Sequence, residues 1–401
     1  MIRIEEIKQL INEIQTSGND VQKAVPDDFC TVLALTVNAD SKDEIYDIIC
    51  LLTSRDDVVS AMPNYRVYPM TTQPNDSYYS DQSASSIIDL PHAWDLCKKA
   101  KDVNVVIIDS GIDGTHYDLS DNLSSSVQCR DFSSGVVNSV NPTDNIGHGT
   151  NVAGVIGAAG NNSIGISGVC WETNLVSYKV YNENGYSSSS IILNAINYAQ
   201  TNGVKLINLS LGWHSNNTTN LDCARNVINS YTGLIICAAG NGTGTTGGLG
   251  YDIGVNAVYP ASLHLPNMIV VGASDFNDLP AAYSCYSSTL VDIFAPGGIV
   301  NISTAENAVL TTSPVSLCIN DSSSSFSQLT HYASGYHYSE GTSIAAPYVT
   351  GVAALLMSYY RNMTPSQIKS LILNNVDTIS SLSDYCVTGG RLNAYRALSN
   401  P

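Results

Sequence analysis

The chain reads as an α/β protein, a largely parallel, doubly wound sheet preceded by a small α+β segment. Three observations predict this. Nearly unbroken apolar runs of strand length at 103–108, 204–212 and 234–238 suit strands covered on both faces, as parallel strands are. Segments of helical period, such as 148–159 and 190–202, alternate with them, the pattern of helices crossing over a parallel sheet. Residues 1–72 have another character and are set apart as a first domain ahead of 73–401.

In chain order, Ile4, Ile7, Leu10, Ile11 and Ile14 form the apolar stripe of a first helix. Residues 30–37 are strand-like, and Ile45, Ile48, Ile49 and Leu52 mark a second helix. The run at 103–108 ends at Asp109, and Ser110-Gly111 breaks it. An acid there stands at the carboxyl end of a buried strand, where open α/β sheets place their sites. The glycine- and alanine-rich helix expected over 148–159 begins at His148. Serines precede the helix at 190–202, Ile191, Ile192, Ala195, Ile196 and Ala199 form its stripe, and Gly203 stops it. Asn241 lies in the glycine-flanked turn after 234–238. Residues 307–338, rich in Ser, Tyr and Thr, read as an inserted loop, either over a cleft or free on the surface. A long apolar helix follows, with Ser343 at its start in Gly341-Thr342-Ser343-Ile344-Ala345-Ala346-Pro347.

Serine is a poor nucleophile at neutral pH. It needs a base, and the base needs a third group to fix its tautomer and stabilise the imidazolium. Ser343, His148 and Asp109 supply these three chemistries. Each also has an ordinary reading: Ser343 as a helix N-cap, His148 as a packed histidine, Asp109 as a loop cap. Context separates them from that reading. His148 sits between glycines that admit close neighbours, while His92, His116, His214, His264, His331 and His337 lack such a setting.

Three blocks in this order closely resemble those of the subtilisin-like serine proteases, the subtilase family. They are Val106-Ile107-Ile108-Asp109-Ser110-Gly111-Ile112-Asp113, Gly147-His148-Gly149-Thr150, and the Gly341 to Pro347 segment. The resemblance runs from about Pro74 to the C-terminus. It implies a serine endopeptidase acting on polypeptides through an acyl-enzyme on Ser343, with His148 moving the proton and Asp109 orienting it. It also implies that Asn241 and the Ser343 N–H hold the oxyanion; a plain turn asparagine is the other reading. Ser210, Leu211 and Gly212 would pair with the substrate backbone as an added strand, and edges around Gly212 and Ala239-Gly240 would wall the pocket for the residue donating the scissile carbonyl. Val258, at a position often glycine in the family, would shorten the main specificity pocket and favour small or medium apolar residues. Trp213 and His214 either shape its rim or are plain loop residues.

Similarity to the family's calcium loop implies one structural calcium, held by Asp76, Asp118, the Asn162 side-chain oxygen and the carbonyls of Gly160, Ile164 and Ile166. A polar loop without metal is the alternative. Residues 1–72 resemble a subtilase propeptide, which implies a zymogen, autocleavage between Met70 and Gln73, and a propeptide that stays bound as inhibitor. The family propeptide usually opens on a strand, and this chain starts at or inside the first helix. A truncated start or a replaced strand would account for that.

Composition narrows the partners. A net charge of −18 disfavours nucleic acid. No apolar run approaches a membrane span, and Glu5 and Glu6 interrupt any signal peptide. A monomer is expected outside the cell or in its envelope, after loss of a signal this chain does not carry; an intracellular place is the alternative. The 10 cysteines show no disulfide framework and lean towards a reducing habitat. Cys50 and Cys237 are expected as buried thiols, and a Cys318–Cys386 pair stays open. Two rival functions remain at this point: a catalytically silent scaffold or regulator, and a related acyl hydrolase or transpeptidase.

Overall fold

The computed structural model describes residues 42–54, 58, 60–62, 71–124, 129–139, 143–214, 221–300, 307–320, 331–332 and 335–401. The chain divides into two compact units, Met1–Met70 and Thr71–Pro401, a boundary two residues ahead of the expected one. In the first unit, helix α1 (Lys42–Thr53) half-buries Ile45, Ile48, Ile49 and Leu52. Cys50 is exposed, contrary to expectation. One residue past Ile49, it lies about 100° round the helix, off the apolar stripe. The helix expected over 4–14 and the strand over 30–37 lie outside the described residues.

In the second unit, α2 (Ser83–Ile87) and α3 (Leu90–Leu96) lead into β1 (Lys99–Asp109). Two short strands, β2 (Arg130–Asp131) and β3 (Asn138–Ser139), precede α4 (His148–Gly157) and β4 (Glu172–Lys179). Then come α5 (Ser189–Thr201), β5 (Leu206–Leu209), α6 (Asp222–Ser230), β6 (Leu234–Ala238), β7 (Met268–Ser274) and β8 (Ile293–Pro296). After β9 (Val309–Thr312), α7 (Val315–Asn320), β10 (His331–Tyr332) and β11 (Tyr336–Ser339) runs the long helix α8 (Thr342–Tyr359). The chain ends with α9 (Pro365–Asn374), β12 (Asp377–Thr378), β13 (Gly390–Arg391) and α10 (Ala394–Ser399).

Ten strands pair in the order β12-β13-β8-β7-β6-β5-β1-β4-β2-β3. All neighbours are parallel except the outermost pair at each end. Alternation along β1 sends Val105 and Ile107 into one buried cluster and Val106 and Ile108 into the other. The first cluster contains Val152 and Ile156 of α4 with Val349 and Val352 of α8; the second contains Ile192 and Ile196 of α5 with Ile228 of α6. Helices therefore cover both faces, and the architecture is the doubly wound α/β sheet the sequence predicts. β1 stands where the strand order reverses, with β4 on one side and β5 on the other, so Asp109 at its carboxyl end lies at a topological switch point.

Three expectations change. Residues 204–212 form a strand only over Leu206–Leu209, so 210–212 leave the ladder. Part of the supposed inserted loop is structure: β9, β10 and β11 make a second sheet, and β9 lies against α4. Thr311 Oγ1 donates to the Asn151 carbonyl (2.6 Å) and Thr312 Oγ1 to the Thr150 carbonyl (2.7 Å), with both threonines fully buried. Threonine and tyrosine are strand formers, and a hydroxyl can hang on a helix carbonyl, so a composition that reads as loop builds a buried strand here. Third, α8 is long and apolar enough, by length and composition, to cross a membrane. It is instead the central core helix, with every residue from Ile344 to Leu356 buried. Of the cysteines, Cys237 is buried as expected, and Cys386 is a free thiol contacting the Leu382 and Gly390 carbonyls. The Cys318 side chain lies outside the described residues.

Candidate active site

The end of β1 and the start of α4 bring acid and imidazole together. His148 Nδ1 lies 2.9 Å from Asp109 Oδ1 and 3.0 Å from Oδ2, with Asp109 buried and His148 half-buried. Gly149 makes this approach possible, since a Cβ there would meet the Gly111 carbonyl at 2.0 Å and the Asp109 Cβ at 3.1 Å. Burial works against the imidazolium, but the charges of Asp109 and Asp144 and the Asp109 hydrogen bond outweigh it and hold the His148 pKa above its ordinary value.

Asp144 is a residue that sequence reasoning missed. Its Oδ1 accepts from Ser110 Oγ (2.9 Å), Ile146 N (3.0 Å) and Gly147 N (2.8 Å). Its Oδ2 accepts from Thr150 N (2.9 Å) and Thr150 Oγ1 (2.7 Å). Ser110 Oγ in turn accepts from Gly149 N at 2.8 Å. This buried carboxylate pins the first turn of α4 to the end of β1. The available signal was an aspartate just ahead of a helix start, the residue type that satisfies orphan N–H groups.

Ser343 is the second residue of α8, whose N-cap is Gly341 at φ 140°. Pro347, four residues on, has no N–H, so the Ser343 carbonyl lacks its helical donor. Ser210 Oγ supplies the bond at 2.7 Å. Behind it, Asn208 Nδ2 donates to Ser210 Oγ (2.9 Å) and Thr350 Oγ1 donates to Asn208 Oδ1 (2.7 Å). The Ser210 side chain therefore holds α8 in place. Asn208 and Thr350 went unnoticed in the sequence because they sit inside apolar runs.

Asn241 follows β6 after Gly240, whose φ is 103°. Its Oδ1 accepts from Thr342 N (3.0 Å) and Thr342 Oγ1 (2.9 Å), which commits Nδ2 to the opposite side. A methyl carbon built on Gly341 would lie 3.0 Å from Ser343 Oγ, 3.3 Å from Asn241 Nδ2 and 3.6 Å from Ser343 N. One small space beside Gly341 thus faces a hydroxyl and two N–H donors. Asp109, His148, Ser343 and Asn241 line one cleft of about 440 Å³ with Ser210, Leu211, Gly212, Gly240 and Val258. No hydrogen bond joins Ser343 Oγ to the imidazole, a link that is often long before the reacting complex forms.

Val258 lines the cleft. Its methyls lie 3.2 Å from where a Cβ on Gly212 would be and 3.1 Å from one on Gly240, so the valine fills the gap between two glycine walls. Trp213 exchanges backbone hydrogen bonds with Tyr259 (2.6 and 2.8 Å) and braces one wall. His214 and Tyr181 line the cleft, and Tyr181 is pushed up to about 12 by burial and the nearby Asp109. Ala239 does not line it: it is fully buried in the core, and Ala238 takes its place on the wall.

The loop 160–166 gathers oxygen atoms. Asp118 is fully buried; its Oδ1 accepts from Asn162 Nδ2 (2.8 Å), and its Oδ2 from Ile166 N (3.0 Å) and Tyr336 OH (3.1 Å). Asp76 Oδ2 accepts from Asn161 N at 2.7 Å. Burial, with the Asp76 charge adding to it, pushes Asp118 up to about 7 against those hydrogen bonds. Among the described residues no donor reaches the Gly160, Ile164 or Ile166 carbonyl. Two repelling carboxylates beside free carbonyls are a hard-oxygen set that suits calcium. Asn162 departs from the expected role: its nitrogen faces Asp118, and its oxygen accepts from Ile164 N at 2.8 Å.

Comparison with known proteins agrees with this geometry. Residues 100–395 match the family model described as the subtilase family. The chain is 34% identical over 342 residues to a thermophilic serine proteinase of a Bacillus species, covering 84% of this chain and 72% of the relative. It is 32% identical to thermitase of Thermoactinomyces vulgaris over 81% of this chain and 99% of thermitase. Among solved structures it resembles a protease from Pseudoalteromonas arctica, with a TM-score of 0.65, 27% identity, and coverage of 82% of this chain and 99% of the other. The chain belongs to the subtilase family, and it is a subtilisin-like serine endopeptidase.

Proposed function

We propose that this enzyme cleaves peptide bonds through an acyl-enzyme on Ser343. One observation carries the reading: the space beside Gly341 faces Ser343 Oγ, Asn241 Nδ2 and Ser343 N at once. A peptide carbonyl placed there meets its nucleophile and its oxyanion donors together. Ser343 Oγ attacks the carbonyl carbon while His148 Nε2 takes the hydroxyl proton. Asp109, on Nδ1, keeps the tautomer and balances the imidazolium. The developing charge falls to Asn241 Nδ2 and the Ser343 N–H, at the positive end of α8. Collapse breaks the C–N bond, and His148 hands its proton to the leaving amine. Water, deprotonated by the same imidazole, then attacks the ester and frees the acid and Ser343.

The substrate backbone lies along 210–212 and Gly240, and Val258 limits the residue that donates the scissile carbonyl to a small or medium apolar one. Asp76, Asp118 and the Gly160, Ile164 and Ile166 carbonyls would hold one structural calcium. Bound there, calcium supplies charge that offsets the two carboxylates. The first unit acts as a propeptide, cut from the second by autocleavage near Met70–Gln73 and then retained as a bound inhibitor. The unit boundary at Met70 and the tie of Thr72 N to Asp95 Oδ1 (2.9 Å) in the second unit support a cut there. The mature enzyme works as a monomer, outside the cell or in its envelope.

Digestion of a diverse peptide library tests the reading. Ser343→Ala is expected to lower kcat by about 10⁶, the size known for removal of the subtilisin serine. A serine-directed phosphonate should label wild type and not the variant; equal cleavage by both would overturn the mechanism. Products formed with an added amine separate hydrolysis from transfer. N-terminal sequencing of the active enzyme should start between Thr71 and Pro74, and full activity from an uncut chain would refute the propeptide role.

A further inference from the structure

Two cysteines from distant parts of the chain meet beside α8. Lys99 pairs with Glu172 and Ala100 with Thr173 in parallel register, and Trp171 N donates to the Lys98 carbonyl at 2.9 Å. Cys97 and Cys170 each stand two residues ahead of the first paired residues, Lys99 and Glu172. Both thiols also lie against the same stretch of α8, the Cys97 thiol standing between it and the Lys99 carbonyl at 3.4 Å. Cys170 Sγ donates to the Gly351 carbonyl at 3.3 Å, and Cys97 Sγ to the Leu355 carbonyl, one turn on, at 3.8 Å. Cys170 is fully buried and Cys97 half-buried, so Cys97 is the accessible member.

We propose that Cys97 and Cys170 are a redox-active pair that closes a disulfide around the segment bearing Asp109 and His148. The oxidant is a low-molecular-weight disulfide, RSSR. The Cys97 thiolate attacks it, forms Cys97–S–SR and expels RS⁻. The Cys170 thiolate then attacks Cys97 Sγ, forms the protein S–S bond and expels the second RS⁻. The two thiol protons end on two RSH, and RSSR has taken up two electrons. Burial raises both thiols, and the neighbouring Cys97 charge raises Cys170 further, so the exchange is slow at neutral pH and quickens in alkali. The closed ring restricts the unfolded chain and so stabilises the fold. Leu355 lies about 18 Å along α8 from Ser343, at 1.5 Å per residue, so the cleft is left as it was.

The test uses the full chain with its serine blocked by a phosphonate, oxidised glutathione at about pH 8.5, and peptide mapping without reduction. Expected are a Cys97–Cys170 crosslinked peptide, a rise in Tm of several degrees reversed by dithiothreitol, and kcat of the unblocked oxidised enzyme within about twofold of the reduced. Cys170→Ala should stop at a glutathione adduct on Cys97. Cys97→Ser, at a half-exposed position that tolerates the change, should leave Cys170 untouched. A wild-type adduct on Cys97 that never closes would overturn the pairing. So would unmodified Cys97 and Cys170 after treatment that modifies the exposed Cys223.

Discussion

The cleft at Ser343 and the loop at 160–166 leave opposite kinds of polar group unmet. In the cleft the free groups are donors, Asn241 Nδ2 and the Ser343 N–H, because Thr342 occupies the Asn241 oxygen and Ser210 occupies the Ser343 carbonyl. In the loop the free groups are acceptors, the Gly160, Ile164 and Ile166 carbonyls beside Asp76 and Asp118. Groups of one sign that converge on one space suit a ligand of the opposite sign. A cleft of spare donors suits a transient oxyanion, and a loop of spare acceptors suits a resident cation. The first should govern rate and the second stability.

Asn241→Ala removes one spare donor and should lower kcat by about 10²–10³, the subtilisin value, with KM little changed. A loss confined to KM in steady-state kinetics would break the comparison. Next in size is pH. The His148 pKa is raised, so kcat/KM should fall about tenfold per pH unit below a midpoint above 6.5. The sign for stability is opposite. The Asp109–imidazolium pair stabilises the fold on the acid side, and that contribution fades as pH rises through the folded His148 pKa. A pH–rate midpoint below 6.5 would contradict both. Val258→Gly opens the floor between Gly212 and Gly240 and should shift preference towards aromatic residues by about tenfold in kcat/KM, checked with matched peptides. The smallest effect belongs to the acceptor side. Strong chelation should lower Tm by several degrees while kcat of the folded enzyme holds, and Asp118→Asn should blunt that response. A chelator that leaves Tm unmoved would leave the loop without a cation.

Much of this was readable from one-dimensional pattern. The apolar run before Asp109, the glycines round His148 and the small residues round Ser343 marked strand end, helix start and helix start, because burial and close approach demand those residue types locally. The reading failed where long-range contacts set the outcome. The threonines of β9 looked like loop residues but hang on α4. Asp144, Asn208 and Thr350 carry no motif of their own, and their importance lies in partners far along the chain.

Composition and local order were enough to specify the alternating strands and helices, the family and which side chains could do the chemistry, because periodicity and residue type act over a few neighbours. Where those side chains point depended on the folded whole. Asn241 aims its nitrogen at the cleft only because Thr342 holds its oxygen, and the Ser343 carbonyl finds Ser210 only because Pro347 withholds a donor. Hydrogen-bond direction is set by partners brought together across the sheet, and no stretch of sequence contains both ends of such a bond.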